Sequence, residues 1–201
     1  MTVTPVILDV QALTFSYAGQ PPLARDWSTT IRAGVTLMHG DTGCGKSTLL
    51  RLLAGTERIA GRLTLAGVRL DVDAVAYRRS VFFVDPSDAA QDALIARDVI
   101  SPAGEHHAEG FALGPHLHKP MFMLSTGTRR KVWLAAALTS TCPLTLLDEP
   151  AGALDAASRD YLAHALGALA HQRERAIVVA SSQTLGAVPL AGTITLPLQG
   201  A

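Results

Sequence analysis

Nine consecutive residues, Gly40-Asp41-Thr42-Gly43-Cys44-Gly45-Lys46-Ser47-Thr48, have the spacing of a phosphate-binding loop, G-x-x-x-x-G-K-[ST]. Each residue type has a physical role there. Gly40, Gly43 and Gly45 lack a Cβ, so the backbone can bend and turn its N–H groups toward phosphate oxygens. Lys46 supplies a point charge for β- and γ-phosphates, and Ser47 offers an oxygen to Mg²⁺. Thr48 adds a hydroxyl donor.

A second chemical pair stands far along the chain. Leu144-Thr145-Leu146-Leu147 is an apolar run that ends in Asp148-Glu149-Pro150. At the C-terminal edge of a parallel sheet, two adjacent carboxylates belong to ligand chemistry. Asp148 would orient Mg²⁺ or its waters. Glu149 points elsewhere and could polarise a water in line with a γ-phosphate. Four of the seven histidines (His106, His107, His116, His118) fall in one proline- and glycine-rich segment. They lack paired carboxylates and helical i,i+4 spacing, so solvated loop or short-helix histidines are expected in place of a metal site. The two cysteines, Cys44 and Cys142, lack metal-site spacing and suit a reducing compartment. Cys142 is expected to pack at the start of a buried strand.

These groups need a scaffold, and its pieces alternate. Strands are expected at Val6–Tyr17, Trp27–Ile31, a pair within Arg62–Leu70, Ser80–Val84, Leu144–Leu147, Ala176–Ala180 and Thr193–Leu196. Val35–Met38 is a strand leading into the phosphate loop, and Leu49–Ala54 is a helix leaving it toward Gly55. Further helices are expected over Thr128–Thr139 and Ala156–Arg173, the latter with Asp155 as N-cap. Strands alternating with helices imply a parallel sheet covered on both faces. The early strands imply an antiparallel accessory sheet. Residues 89–124 read as a short helical insertion in a single domain, 1–201, whose core is 1–88 and 125–201.

Composition narrows the class. The 201 residues are 48% hydrophobic and 17% charged, as in an ordered globular chain. Lys+Arg and Asp+Glu are each 17, so charge gives no argument for nucleic-acid binding. A mean hydropathy of +0.26 suggests an apolar interface or a large core. No apolar run nears the roughly 18 residues of a membrane span, and no signal peptide is seen.

Together the motifs resemble the ATP-binding cassette family, the nucleotide-binding subunits of ABC transporters. The resemblance runs nearly end to end. Gly40–Thr48 is its phosphate loop and Asp148-Glu149 its second acidic motif. Leu124-Ser125-Thr126-Gly127-Thr128 stands at its signature, followed by the basic Arg129-Arg130-Lys131, and Ala153-Leu154-Asp155 at its D-loop. In length and layout the chain is also similar to the haem-exporter cassette of cytochrome c maturation. The resemblance implies an α/β fold of the P-loop NTPase, ABC type, with a parallel sheet core, an antiparallel β subdomain and a short helical subdomain. It implies ATP and Mg²⁺ as ligands, with Tyr17 stacked on adenine and Asp155 near the nucleotide. It implies a head-to-tail homodimer or heterodimer in which Ser125 and Gly127 reach the partner's ATP. It implies separate transmembrane permease subunits, met by the insertion, and a peripheral place on the cytoplasmic face of the membrane.

The chain departs from the family pattern in three places. Asp85 stands where a glutamine is usual, and it could still touch Mg²⁺. Thr126 and Thr128 replace a glycine and a glutamine in the signature. Ser181-Ser182-Gln183 replaces the region of a histidine, and Gln183 can donate a hydrogen bond to a γ-phosphate but cannot carry a proton. With Glu149 kept, slow ATP hydrolysis is expected, and a nucleotide-gated switch with little turnover is the alternative.

Overall fold

The structure, a computed structural model, describes residues 4–84 and 92–198. Strands β3 (Gly34–His39), β7 (Leu144–Asp148) and β8 (Ala176–Ser181) are almost continuously apolar and almost wholly buried. A strand covered on both faces reads this way. With β6 (Val81–Phe83) and β9 (Gly192–Thr195) they form a five-stranded parallel sheet in the order β6-β7-β8-β3-β9. His39, Asp148 and Ser181 therefore finish at one edge, where the loops that follow them meet. A four-stranded antiparallel sheet, order β2-β1-β4-β5, is built from β1 (Val6–Phe15), β2 (Ala24–Arg32), β4 (Ala60–Leu65) and β5 (Val68–Arg69).

Helix α1 (Lys46–Ala54) lies between the two sheets. Its Leu49, Leu50, Leu52 and Leu53 are all 0% exposed. They meet Leu8, Val10 and Leu63 on one side and Met38, Leu146 and Val178 on the other. A helix covered on both sides is apolar nearly all round, and each leucine contributes about 2 kcal/mol by burial. The opposite face of the parallel sheet (Val35, Leu147, Ile177, Val179) carries a second core with α5 (Thr126–Leu138) and α6 (Ala156–Leu169). Residues 92–124 close that core with α3 (Ala96–Val99), α4 (Glu105–Gly110) and single 3₁₀ turns at 102–104, 114–116 and 121–123.

Several details differ from the sequence expectation. Helix α2 (Ala74–Arg79) is absent from that expectation, because six residues are too few to show a period. Asp73 caps it by accepting from the Ala76 N–H at 2.9 Å. Its Tyr77 is wholly buried and donates to the Leu53 carbonyl at 2.8 Å, at the C-terminal end of α1. Helix α5 begins two residues earlier than expected, since Ser125 caps it. Helix α6 stops at Leu169, and the chain turns so that Arg175 enters the core. Its guanidinium donates to the Leu138 carbonyl at 2.7 Å and to that of Ser140, a cation at the negative end of α5. His107 is a correction: it is buried, and its Nδ1 lies 2.8 Å from the Tyr161 hydroxyl. Burial first, then the charges of His106 and Arg175, pull its pKa down to about 4. Cys142 is half-buried in the turn before β7, its Sγ 3.6 Å from the Arg79 carbonyl.

Candidate nucleotide site

The phosphate loop opens α1 as its spacing requires. Gly45, the N-cap, has φ 101°, which a side chain would resist, and no side chain caps the helix. The first-turn N–H groups are thus left for an anion. Lys46 is 6% exposed. Its Nζ donates to the carbonyls of Gly40 (2.7 Å) and Asp41 (2.9 Å) and pairs with Glu149 Oε1 at 3.2 Å. Asp41, Thr42, Gly43 and Ser47 are exposed, while Cys44 packs against the first core. Thr48 is buried, its hydroxyl 3.3 Å from that of Tyr17. Tyr17 is itself exposed, edge-on to Phe15, so its ring borders the loop.

At the end of β7, Glu149 has φ 41°, a left-handed backbone that residues other than glycine seldom adopt. Its N–H donates to the Ala180 carbonyl (2.9 Å), and its Oε1 accepts from the Ser182 N–H (3.0 Å). One carboxylate therefore joins three loops: those after β3, β7 and β8. Gln183 is exposed, and its N–H donates to Ser181 Oγ at 3.0 Å. The group set against Glu149 from β8 is the backbone of Ser182, which sequence reasoning passes over because a backbone N–H leaves no mark on residue type. Asp85 lies outside the described residues.

Asp148 Oδ1 is buried and has no hydrogen-bond partner. A buried carboxylate oxygen left unpaired is costly unless a cation or water meets it. A carboxylate oxygen is a hard donor of the kind Mg²⁺ takes while keeping most of its waters. Among the described residues, no group of three or more His, Cys, Asp or Glu could hold a metal by itself.

The signature lies on the other side of the 149–155 loop. Ser125 Oγ accepts from the Thr128 N–H at 3.2 Å and lies 2.9 Å from the Thr128 hydroxyl. Gly127 is required by close approach: a Cβ there would sit 2.6 Å from the Ala153 carbonyl oxygen. Asp155 accepts from the Ser158 N–H at 2.8 Å, capping α6, and pairs with Lys131 Nζ at 2.6 Å. Lys131 first, then Ser158, hold its carboxyl well below the usual carboxylate range. Arg129 pairs with Asp92. A cleft of about 180 Å³ opens beside Asp148, with Phe82, Met121 and Trp133 as its apolar wall and Arg129 and Arg130 on its rim.

A phosphate loop and an acidic strand end meeting at one edge of a parallel sheet define a P-loop nucleotide-binding protein. Residues 24–152 match the ABC transporter family model, and the chain belongs to that family. It is 37% identical over 169 residues to the cytochrome c biogenesis ATP-binding export protein CcmA of Novosphingobium aromaticivorans, covering 83% of this chain and 84% of that one. It is 40% identical over 136 residues to CcmA of Rhodospirillum rubrum, covering 62% of this chain and 58% of that protein. The putrescine transport ATP-binding protein PotG of Escherichia coli is 36% identical over 177 residues, of which this chain spans 45% of the length. A putative ABC transporter ATP-binding protein of Pyrococcus furiosus shares the fold, with a TM-score of 0.74 over 94% of this chain and 22% identity.

Proposed function

We propose that this chain binds and hydrolyses ATP to power an ABC transporter. The observation that carries the reading is the Lys46–Glu149–Ser182 network, which joins the phosphate loop, the acid and the end of β8 in one hydrogen-bonded unit. Nucleotide would draw Lys46 Nζ from the Gly40 and Asp41 carbonyls to the β- and γ-phosphates. The free N–H groups of α1 hold the phosphate oxygens, and Tyr17 borders the base. Ser47 and Asp148 would hold Mg²⁺, which would supply charge neutralisation at the phosphates. Glu149 accepts a hydrogen bond from the attacking water. Ser125 and the Gly127 N–H complete the site of a second cassette, so binding drives closure of the dimer.

The chain would act at the cytoplasmic face on separate permease subunits. Among the described residues, no helix is long and apolar enough to cross a membrane. Leu94, Phe122 and Met123 are 43%, 64% and 63% exposed on the insertion, an apolar surface that suits such a partner. The similarity to CcmA spans 84% of the Novosphingobium protein against 45% for PotG, which favours a role in cytochrome c biogenesis.

The test is Mg²⁺-dependent ATP turnover beside Glu149→Gln. Turnover should fall about 10²–10³-fold in the variant, the usual cost of removing a catalytic group, and an ATP-bound dimer should accumulate on size exclusion. ATP binding without turnover in either protein would favour the nucleotide-gated switch.

A further inference from the structure

Arg130 makes hydrogen bonds that the proposed chemistry does not use. One of its guanidinium nitrogens donates to two backbone carbonyls of the catalytic loop, Glu149 at 2.9 Å and Gly152 at 2.6 Å. That loop needs holding, because Glu149 (φ 41°) and Ala153 (φ 59°) both occupy the left-handed region that a Cβ disfavours. The Glu149 carbonyl belongs to the peptide unit leading into Pro150. Fixing it fixes the Glu149 backbone, and with it the direction in which the carboxylate leaves the strand. Gly152 leaves the space for the clamp: a Cβ there would lie 2.5 Å from the same Arg130 nitrogen.

We propose that Arg130 is a positioning residue for hydrolysis, holding the strained Glu149 backbone so that its carboxylate faces the phosphate loop. The proposal rests on the reading of Glu149 as the group that polarises water. Arg130 sits one turn along α5 from Ser125 and Gly127, so a shift of that helix on nucleotide engagement is carried directly to Glu149.

Steady-state ATP hydrolysis by the full chain tests this with Arg130→Met, Arg130→Lys, Gly152→Ala and the double variant, beside Glu149→Gln. Arg130→Met should lower kcat about 10–100-fold, the scale of a sub-ångström to ångström misplacement, with KM for ATP unchanged. Arg130→Lys, whose ammonium can donate to two carbonyls, should recover part of the loss. Gly152→Ala keeps Arg130 and its charge but displaces the guanidinium, so it should lower kcat in the same way. The double variant should be no slower than Arg130→Met alone, because both changes break the same clamp. Unchanged kcat in Arg130→Met, or losses that multiply in the double variant, would overturn the clamp. Full turnover in Glu149→Gln would instead overturn the role of Glu149 itself, which separates the two failures. If Arg130→Met does not fold, Gly152→Ala decides alone: normal kcat there refutes the proposal.

Discussion

The two halves of the candidate site are held in different ways. The phosphate loop is held mostly by itself: Lys46 folds back onto the carbonyls of Gly40 and Asp41, a few residues away. The signature and the 149–155 loop are held by each other across the fold. Arg130 reaches Glu149 and Gly152, Lys131 reaches Asp155, and Gly127 abuts Ala153. A local device tolerates little change of residue type, and here its charged tie to the rest of the site is the Lys46–Glu149 pair at 3.2 Å. A long-range device can keep its geometry with unusual residues, as it does here with Thr126 and Thr128, provided the side-chain ties remain.

The sharpest way to test the self-contained half is Lys46→Ala. The phosphates lose their main cation while the loop keeps its glycines and the helix its free N–H groups. Affinity for ATP should fall by about 10²-fold or more, on the scale of one charge-assisted hydrogen bond removed from a desolvated site. Titration calorimetry with ATP and Mg²⁺ measures it. Unchanged affinity would mean that the phosphates bind elsewhere.

The second half should break through stability as well as chemistry. Arg175 is 7% exposed and caps the C-terminal end of α5, the helix that carries the signature. Burial lowers the pKa of its guanidinium, yet the carbonyls around it hold it in place. Arg175→Met keeps much of the volume and removes the donors, leaving carbonyls of Leu138 and Ser140 without them. A loss of about 2–3 kcal/mol is expected in urea unfolding, the range for hydrogen bonds to a charged group. A loss below about 0.5 kcal/mol would show that α5 does not depend on this cap.

The same contrast explains what is legible in the sequence. The phosphate loop can be read because its function is encoded in nine adjacent residues, and β3, β7 and β8 because burial on both faces leaves unbroken apolar runs. The ABC-type fold follows from the order of those motifs. The clamp is not legible: Arg129-Arg130-Lys131 reads as a basic helix start, and nothing local says that its members pair with Asp92, with two carbonyls and with Asp155. Ser182 escapes for a related reason, since it acts through its N–H. Asp155 reads as an N-cap, and the structure adds a pair with Lys131 that no local pattern signals.

The smallest expected effect is one of pH, and it too should divide the halves. His107 sits in the second core against Tyr161 and His106, with Arg175 adding to the cost of charging it. Its folded pKa of about 4 lies below the ordinary 6.5, so as pH falls the unfolded chain takes up the proton first. The stability it secures is complete above pH 6.5 and drains away as pH falls toward about 4. The chain holds two tryptophans, Trp27 against the first core and Trp133 against the second, so each reports on one half. Between pH 7 and pH 5, the urea midpoint read by Trp133 in a Trp27→Phe background should drop. The midpoint read by Trp27 in a Trp133→Phe background should drop less. His107→Asn cannot take up that proton, so it should shrink the Trp133 shift while leaving the contributions of the other histidines. A pH shift of the same size in His107→Asn would remove His107 from the account. Equal shifts at the two tryptophans would mean that the two cores unfold as one unit, with the long-range ties between α5 and the 149–155 loop strong enough to couple them.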